Sequence, residues 1–298
     1  MLLPFISYNL ATCLLAFAFL GIGNTMLQVS LNPLLTNVVK GDALTSSLTA
    51  GQVVKAVSSI CGPFIAAFAA GTLGNWKYLF PIFALVTLIS AIWLMATHIE
   101  EQKSEKNAAS VASVFGLLKD KTILFLFFGI FFVVGVDVGV NTLSPKLLME
   151  RAGWAVENAG LAASVYFFCK TAGAFIGAFA LAKVNAVKYF RWNIVIAALA
   201  LVLLFFVDGA VPMMILIGAI GLFCASVFSI IYAAAMQARP DKANEISGLM
   251  ITGVSGGAVI PPLMGAMTDM MGGQVGSIIV IGVCMLYLLW CSFRLSES

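Results

Sequence analysis

Three ionisable side chains stand deep inside long apolar runs, each with a polar neighbour about one helical turn away. Gln52, Lys55 and Ser59 fall at i, i+3 and i+7, one face of a helix. Asp137 has Asn141 one turn later, and Lys170 has Tyr166 one turn earlier. A further stripe, Asn24, Gln28 and Asn32, repeats every four residues within Gly21–Pro33 and carries amides only. Amides facing lipid would be costly, so the stripe must face other helices or a wet cavity. An ionised group at bilayer depth costs at least about 2.5–3.5 kcal/mol on insertion scales, so it persists where it is paired, wet or neutralised. The chemistry these residues offer is recognition of a polar solute in a cavity inside a membrane, with a titratable carboxyl at Asp137. The structural reading of the same residues is amides that join helices and ion pairs that fix register. Asp137 and Lys170 lie on consecutive runs and can pair. Lys55 then needs an anion from a substrate, from helices before the chain's start, or from Asp137 in another conformation.

The elements that position these groups are membrane spans. The chain has 298 residues, is 61% hydrophobic and only 10% charged, and has a mean hydropathy of +1.05. A soluble domain cannot bury that much apolar surface, so the fold class is an all-α polytopic membrane bundle. At about 20 apolar residues per crossing, nine spans are expected, near 8–31, 46–70, 77–97, 122–144, 158–181, 190–207, 211–235, 246–268 and 275–293. The net charge of +3 and the absence of a basic run exclude a nucleic-acid partner. The six cysteines form no CxxC and lie almost entirely in apolar runs, so neither a disulfide frame nor a metal site is expected. His98, the only histidine, sits at a span end beside Glu100 and Glu101 and reads as a surface residue. No basic stretch precedes the first apolar run, so there is no cleavable signal pattern.

Loop charge sets the orientation. Alternate loops hold Lys40, Lys103, Lys106, Lys119, Lys121, Lys183, Lys188, Arg191, Arg239, Lys242 and Arg294 on one side, against Lys77, Lys146 and Arg151 on the other. The richer side is expected to be cytoplasmic, with the C-terminus inside and the N-terminus outside. Residues 98–121 form the longest polar segment, charged first and then weakly amphipathic through Val111, Val114, Phe115 and Leu118. It is expected to be a cytoplasmic linker with a short surface helix, joining a three-span bundle (1–97) to a six-span bundle (122–298). A faint internal echo relates Ser46-Ser47 and Gly62-Pro63 to Ser247 and Pro261-Pro262. The latter span, through Gly253, Gly256, Gly257, Pro261 and Pro262, is not a stiff rod and is a candidate rocking or gating helix. Trp76, Tyr78 and Trp154 sit at span edges, as interfacial aromatics do.

Four stretches carry a resemblance that covers nearly the whole chain: GIGNTMLQVSLNP (21–33), AGQVVKAVSS (50–59), FFVVGVDVGVNTLSPKL (131–147) and SGLMITGVSGGAVIPPLMGAMTD (247–269). With them the chain resembles the fucose–proton symporter family of the major facilitator superfamily, which includes bacterial glucose/galactose carriers. The likeness begins at the fourth span of a twelve-span carrier, so the chain reads as N-terminally incomplete and is expected not to transport alone. Departures from the family pattern fall at the polar sites. Gln28 stands where the family has an acid, Lys55 replaces an asparagine three residues after Gln52, and Asp137 stands where fucose carriers tend to have a glutamine.

The resemblance implies alternating access about a mid-membrane site in a bacterial inner membrane. It implies uptake of a monosaccharide, a hexose or deoxyhexose, driven by a proton or sodium gradient, with no cofactor and no metal. The residues expected to bind the sugar are Asn24, Gln28, Asn32, Gln52, Lys55, Asn141, Tyr166 and Lys170. Asp137 is the expected coupling residue, because Gln28 cannot titrate. Tyr166 or a phenylalanine of span 122–144 is expected against the sugar ring. The alternatives are a carrier for an acidic sugar or other organic anion, favoured by Lys55 and Lys170, and a non-transporting membrane sensor or assembly subunit. An enzyme is not indicated: there is one histidine, no cysteine pair and no nucleophile with a base at matched depth.

Overall fold

The computed structural model describes residues 2–39, 42–97 and 111–295. His98, Glu100, Glu101 and the linker residues up to 110 lie outside the described residues, as do Lys40 and the side chains of Ser59 and Pro63. Among the described residues the regular structure is helical. In chain order the helices are α1 (Leu3–Ile6), α2 (Leu10–Val38), α3 (Asp42–Thr72), α4 (Leu79–Ala96), α5 (Val111–Gly116), α6 (Lys121–Ala152) and α7 (Val156–Ala159). They continue with α8 (Leu161–Ala180), α9 (Ala186–Leu203), α10 (Ala210–Cys224), α11 (Val227–Ala238), α12 (Ala243–Gly253), α13 (Gly256–Met271) and α14 (Val275–Arg294). Eight stretches among the described residues are long and apolar enough to cross a membrane, with α10–α11 and α12–α13 each counted as one. α3, at 31 residues, is a ninth helix of membrane length and carries Gln52 and Lys55.

Two of the observed helices outrun the expected spans and run through a proline. α2 continues through Pro33 to Val38, and α6 through Pro145 to Ala152. Proline removes one backbone N–H and so leaves the carbonyl four residues earlier without its helical donor. A membrane helix tolerates this where a neighbour supplies the bond. For Pro33 that carbonyl is Val29, and the Ser247 hydroxyl of α12 donates to it at 3.0 Å.

α6 is the hub. Ile123, Leu126, Ile130, Val133, Val136, Val140, Leu143 and Leu147 are all buried along it, against α8, α11, α13 and α14. Its last turn holds neighbouring helix ends. Arg151 donates to the carbonyls of Leu204 at 2.9 Å and Phe205 at 3.3 Å after α9, and Glu150 accepts from the Gln274 N–H at 2.8 Å ahead of α14. α8 and α10 cross closely because glycines face each other's backbone. A Cβ added at Gly173 would fall on the Leu222 carbonyl, and Gly221 lies directly under the Tyr166 ring. α4 by contrast has no buried residue.

Candidate functional site

The first half of α3 packs against the later helices. Leu44, Thr45, Leu48 and Thr49 are buried, whereas Val54 and Val57 farther along are 68% and 47% exposed. The Ser46 hydroxyl donates to the Ala178 carbonyl in the last turn of α8 at 2.5 Å. On the other side of the molecule the Ser247 bond to Val29 ties α12 to the second half of α2, and Tyr232 of α11 donates to Ser247 at 2.7 Å. The bundle is therefore sealed at the end where α2 finishes and α3 begins. Past this seal the helices part around a cavity of about 270 Å³.

Its polar wall is Asn24 and Gln28 from α2, Gln52 and Lys55 from α3, Asp137 from α6 and Lys170 from α8. Six of the nine residues singled out in the sequence thus meet in one place. Asp137 has both carboxylate oxygens engaged: Lys170 Nζ reaches Oδ2 at 2.5 Å, and the Tyr166 hydroxyl donates to Oδ1 at 2.6 Å. The pair is not sealed from water, since the Lys170 and Asp137 side chains are 26% and 34% exposed. Lys55 lies in the electrostatic field of both.

The other three residues lie off the cavity wall. Asn32 lies beside the Tyr232 hydroxyl and belongs to the seal. Asn141 is one turn beyond Asp137, and its Oδ1 is buried with no hydrogen-bond partner. Tyr166 is only 1% exposed and acts on the site through Asp137, so it offers no face for stacking. The phenylalanines of α6 do not line the cavity either; the aromatic walls are Phe167 and Phe228. Phe167, Lys170 and Ala174 fall at i, i+3 and i+7 and all line it, so that face of α8 was readable from spacing. Phe228 carried no such signal.

Both broken spans interrupt at the cavity. Ala225, between α10 and α11, and Val254, between α12 and α13, line it. At the second break Val254 and Ser255 bond back three residues, to Ile251 and Thr252, both at 3.1 Å. Discontinuous helices at mid-bilayer are a recurring way to open backbone groups toward a site. Among the described residues no group of three or more His, Cys, Asp or Glu side chains is placed to hold a metal.

Comparison with known proteins agrees with this architecture. The model of the Major Facilitator Superfamily matches residues 1–159 and 126–298. A glucose/galactose transporter of Brucella abortus is 24% identical over 311 residues, covering 99% of this chain and 74% of that protein. A putative glucose/galactose transporter of Helicobacter pylori is 22% identical over 297 residues, covering 94% and 72%. The structure of the E. coli Fucose:proton symporter, FucP, superposes with a TM-score of 0.85 at 15% identity, covering 99% of this chain and 79% of that one. FucP in the outward conformation superposes with a TM-score of 0.78 at 16% identity, covering 91% and 73%. With family matches that together span its whole length, the chain belongs to the Major Facilitator Superfamily.

Proposed function

We propose that this chain is a secondary active carrier of a monosaccharide with a hexose or deoxyhexose ring, working by cation symport and alternating access in a bacterial inner membrane. The observation that carries the reading is a cavity, sealed at one end, whose wall combines three amides with an Asp–Lys pair at mid-span. The named relatives support it, being glucose/galactose transporters, and the fold neighbour is a fucose:proton symporter. Relatives of this kind are transporters rather than enzymes.

The roles follow from chemistry. Asn24, Gln28 and Gln52 pair with ring hydroxyls as donors and acceptors, while Phe167 and Phe228 pack on the apolar ring faces. Asp137 couples: Lys170 and the Tyr166 hydroxyl engage its two oxygens. A proton arriving on Asp137 would neutralise it and release Lys170 to the cavity. The two bundles, 1–97 and 122–298, would then rock about the 98–121 linker. Among the described residues Lys183, Lys188, Arg239 and Lys242 lie in loops at the sealed end, which supports a cytoplasmic placement for that end and for the C-terminus. The state described is on that assignment outward-facing.

The test is binding linked to proton exchange. The purified chain in lipid nanodiscs is titrated with monosaccharides in weakly buffered solution, and proton uptake is read alongside bound sugar. Sugar binding is expected to draw in protons, and Asp137→Asn to bind sugar without them. No binding of any monosaccharide sinks the sugar reading. Binding with unchanged proton uptake in Asp137→Asn removes Asp137 from coupling.

A further inference from the structure

We propose that the groove between α9 and α14 binds one anionic phospholipid, with an acyl chain along the groove and the phosphate at the sealed end. The groove has a volume of about 470 Å³, and no polar side chain lines it. Leu199 and Val202 of α9 face Val283 and Leu286 of α14 across it, and all four are exposed. Space between them is left by the small residues Ala198 and Gly282; a Cβ added at Gly282 meets nothing within 4 Å. Both helices are long and apolar enough to cross a membrane, and they pack on α6, α10, α11 and α13 of the second bundle. The groove shares no lining residue with the sugar cavity. Left unfilled, it would forfeit dispersion contacts along both walls.

Charge at one end of the groove selects the lipid. Lys188, Arg191 and Val195 fall at i, i+3 and i+7, so the groove face of α9 leads up to two cations. Arg294 closes α14 at the same end. The two helix ends meet there: the Arg191 guanidinium lies 5.1 Å over the Phe293 ring and reaches the Ser292 carbonyl at 3.5 Å. Arg294 lies 5.7 Å over the Trp290 ring. A guanidinium stacked on a ring still presents N–H groups along its edge, in the fork that matches phosphate. It has five such donors, so a contact within the protein leaves others for a ligand. Residues 181–207 and 275–295 contain no acidic side chain; Glu297, the nearest to Arg294 in sequence, lies outside the described residues. Basic clusters at the cytoplasmic ends of membrane helices attract anionic headgroups.

The apolar and charged parts are spaced for one lipid. Arg191 to Val202 spans about 16 Å of helix at 1.5 Å per residue, close to half of the roughly 30 Å hydrocarbon core. Trp192 and Trp290 are exposed at the level of the cations, where interfacial aromatics belong. The far end of the groove, at Phe205, offers no such cluster. There Arg151 is engaged with the Leu204 and Phe205 carbonyls, and Asp208 follows. The acyl chain therefore enters from the sealed end. A lipid seated this way clamps α9 to α14, a role that stands apart from the carrier reading and does not depend on it.

The experiment places the purified chain in phosphatidylcholine nanodiscs with a trace of photoreactive lipid, a diazirine on one acyl chain of either phosphatidylglycerol or phosphatidylcholine. Adducts are located by mass spectrometry. α4, which has no buried residue, reports ordinary lipid contact. Relative to α4, labelling of α9 and α14 is expected to be at least about tenfold higher with the anionic probe than with the zwitterionic one, the effect of one added charge-assisted contact. Arg191→Gln with Arg294→Gln should bring that ratio within about threefold, and added salt should lower it. Arg191→Lys with Arg294→Lys should keep it above threefold, since the charge remains. Gly282→Leu, which fills the groove, should reduce anionic labelling of α9 and α14 to the α4 level. Equal labelling by the two probes, or a preference that survives the double glutamine variant, overturns the proposal. So does undiminished labelling in Gly282→Leu. Cross-links between the α14 helices of two copies, with no lipid adducts on either, would give the groove to a second copy and overturn it as well.

Discussion

Asp137 is the residue on which the site turns, because it is the acceptor for two different donors. Lys170 supplies charge and Tyr166 supplies a fixed direction. Removing one member of a fully buried pair costs about 3–5 kcal/mol. Here both side chains are about a quarter to a third exposed, so screening reduces Asp137→Asn to about 1–2 kcal/mol. Adding Lys170→Met to it is expected to recover most of that loss, since no ammonium is then stranded. Thermal unfolding of the two variants in detergent decides this; equal losses in single and double variants would mean the pair contributes nothing. Tyr166→Phe is expected to cost about 1 kcal/mol through one lost hydrogen bond. The pairing of Asp137 with Lys170 was legible in the sequence because the two sit at similar depth on consecutive spans. The use of Tyr166 was not. Its spacing put it on the Lys170 face, but its burial depends on the space over Gly221, fifty-five residues away.

At the scale of elements, close approach of backbones positions these side chains. α8 carries Tyr166, Phe167 and Lys170, and its depth against α10 is set where Gly173 meets the Leu222 carbonyl. A carbonyl cannot swing aside as a side chain can. Gly173→Ala is therefore expected to push the helices apart at a cost of about 1–3 kcal/mol, and to weaken sugar binding by displacing Lys170. Gly282→Ala is the matched control on α14, where an added methyl meets nothing within 4 Å. There alanine's higher helix propensity should leave stability unchanged or raise it by up to about 1 kcal/mol. Equal melting shifts in the two variants would remove the packing argument. The break at Val254–Ser255 falls in a span whose glycines and prolines announced a weak rod. The break at Ala225–Ser226 has neither residue type at it, so local sequence held no sign of it. Span number was readable because bilayer thickness imposes it. Beyond the Asp137–Lys170 pair, which polar residue faces which neighbour was not, because tertiary packing decides that.

At the scale of the molecule, the sealed end is held by two bonds of one kind, each a serine hydroxyl donated to a backbone carbonyl that lacks a helical donor. Ser247 caps Val29, orphaned by Pro33, and Ser46 caps Ala178, orphaned by the end of α8. The two serines sit at matching places in the internal echo seen in the sequence, so the seal has the form of a repeated latch. A hydrogen bond of this sort is worth about 1 kcal/mol net, so removing both should shift a closed-to-open equilibrium by about 2 kcal/mol, roughly 30-fold. Pro33→Ala should act in the same direction as Ser247→Ala, because the new N–H competes for the Val29 carbonyl. The shift is readable as distances between spin labels. Ala43 and Asn244 are exposed at the sealed end, and Leu73 and Met270 at the other. If the halves rock as proposed, Ser46→Ala with Ser247→Ala should populate longer Ala43–Asn244 distances and shorter Leu73–Met270 distances together. Widening at the sealed end alone would mean local fraying. Unchanged distributions at both pairs would assign the seal to the apolar contacts of Leu44 and Leu48, with the serines only satisfying stranded carbonyls.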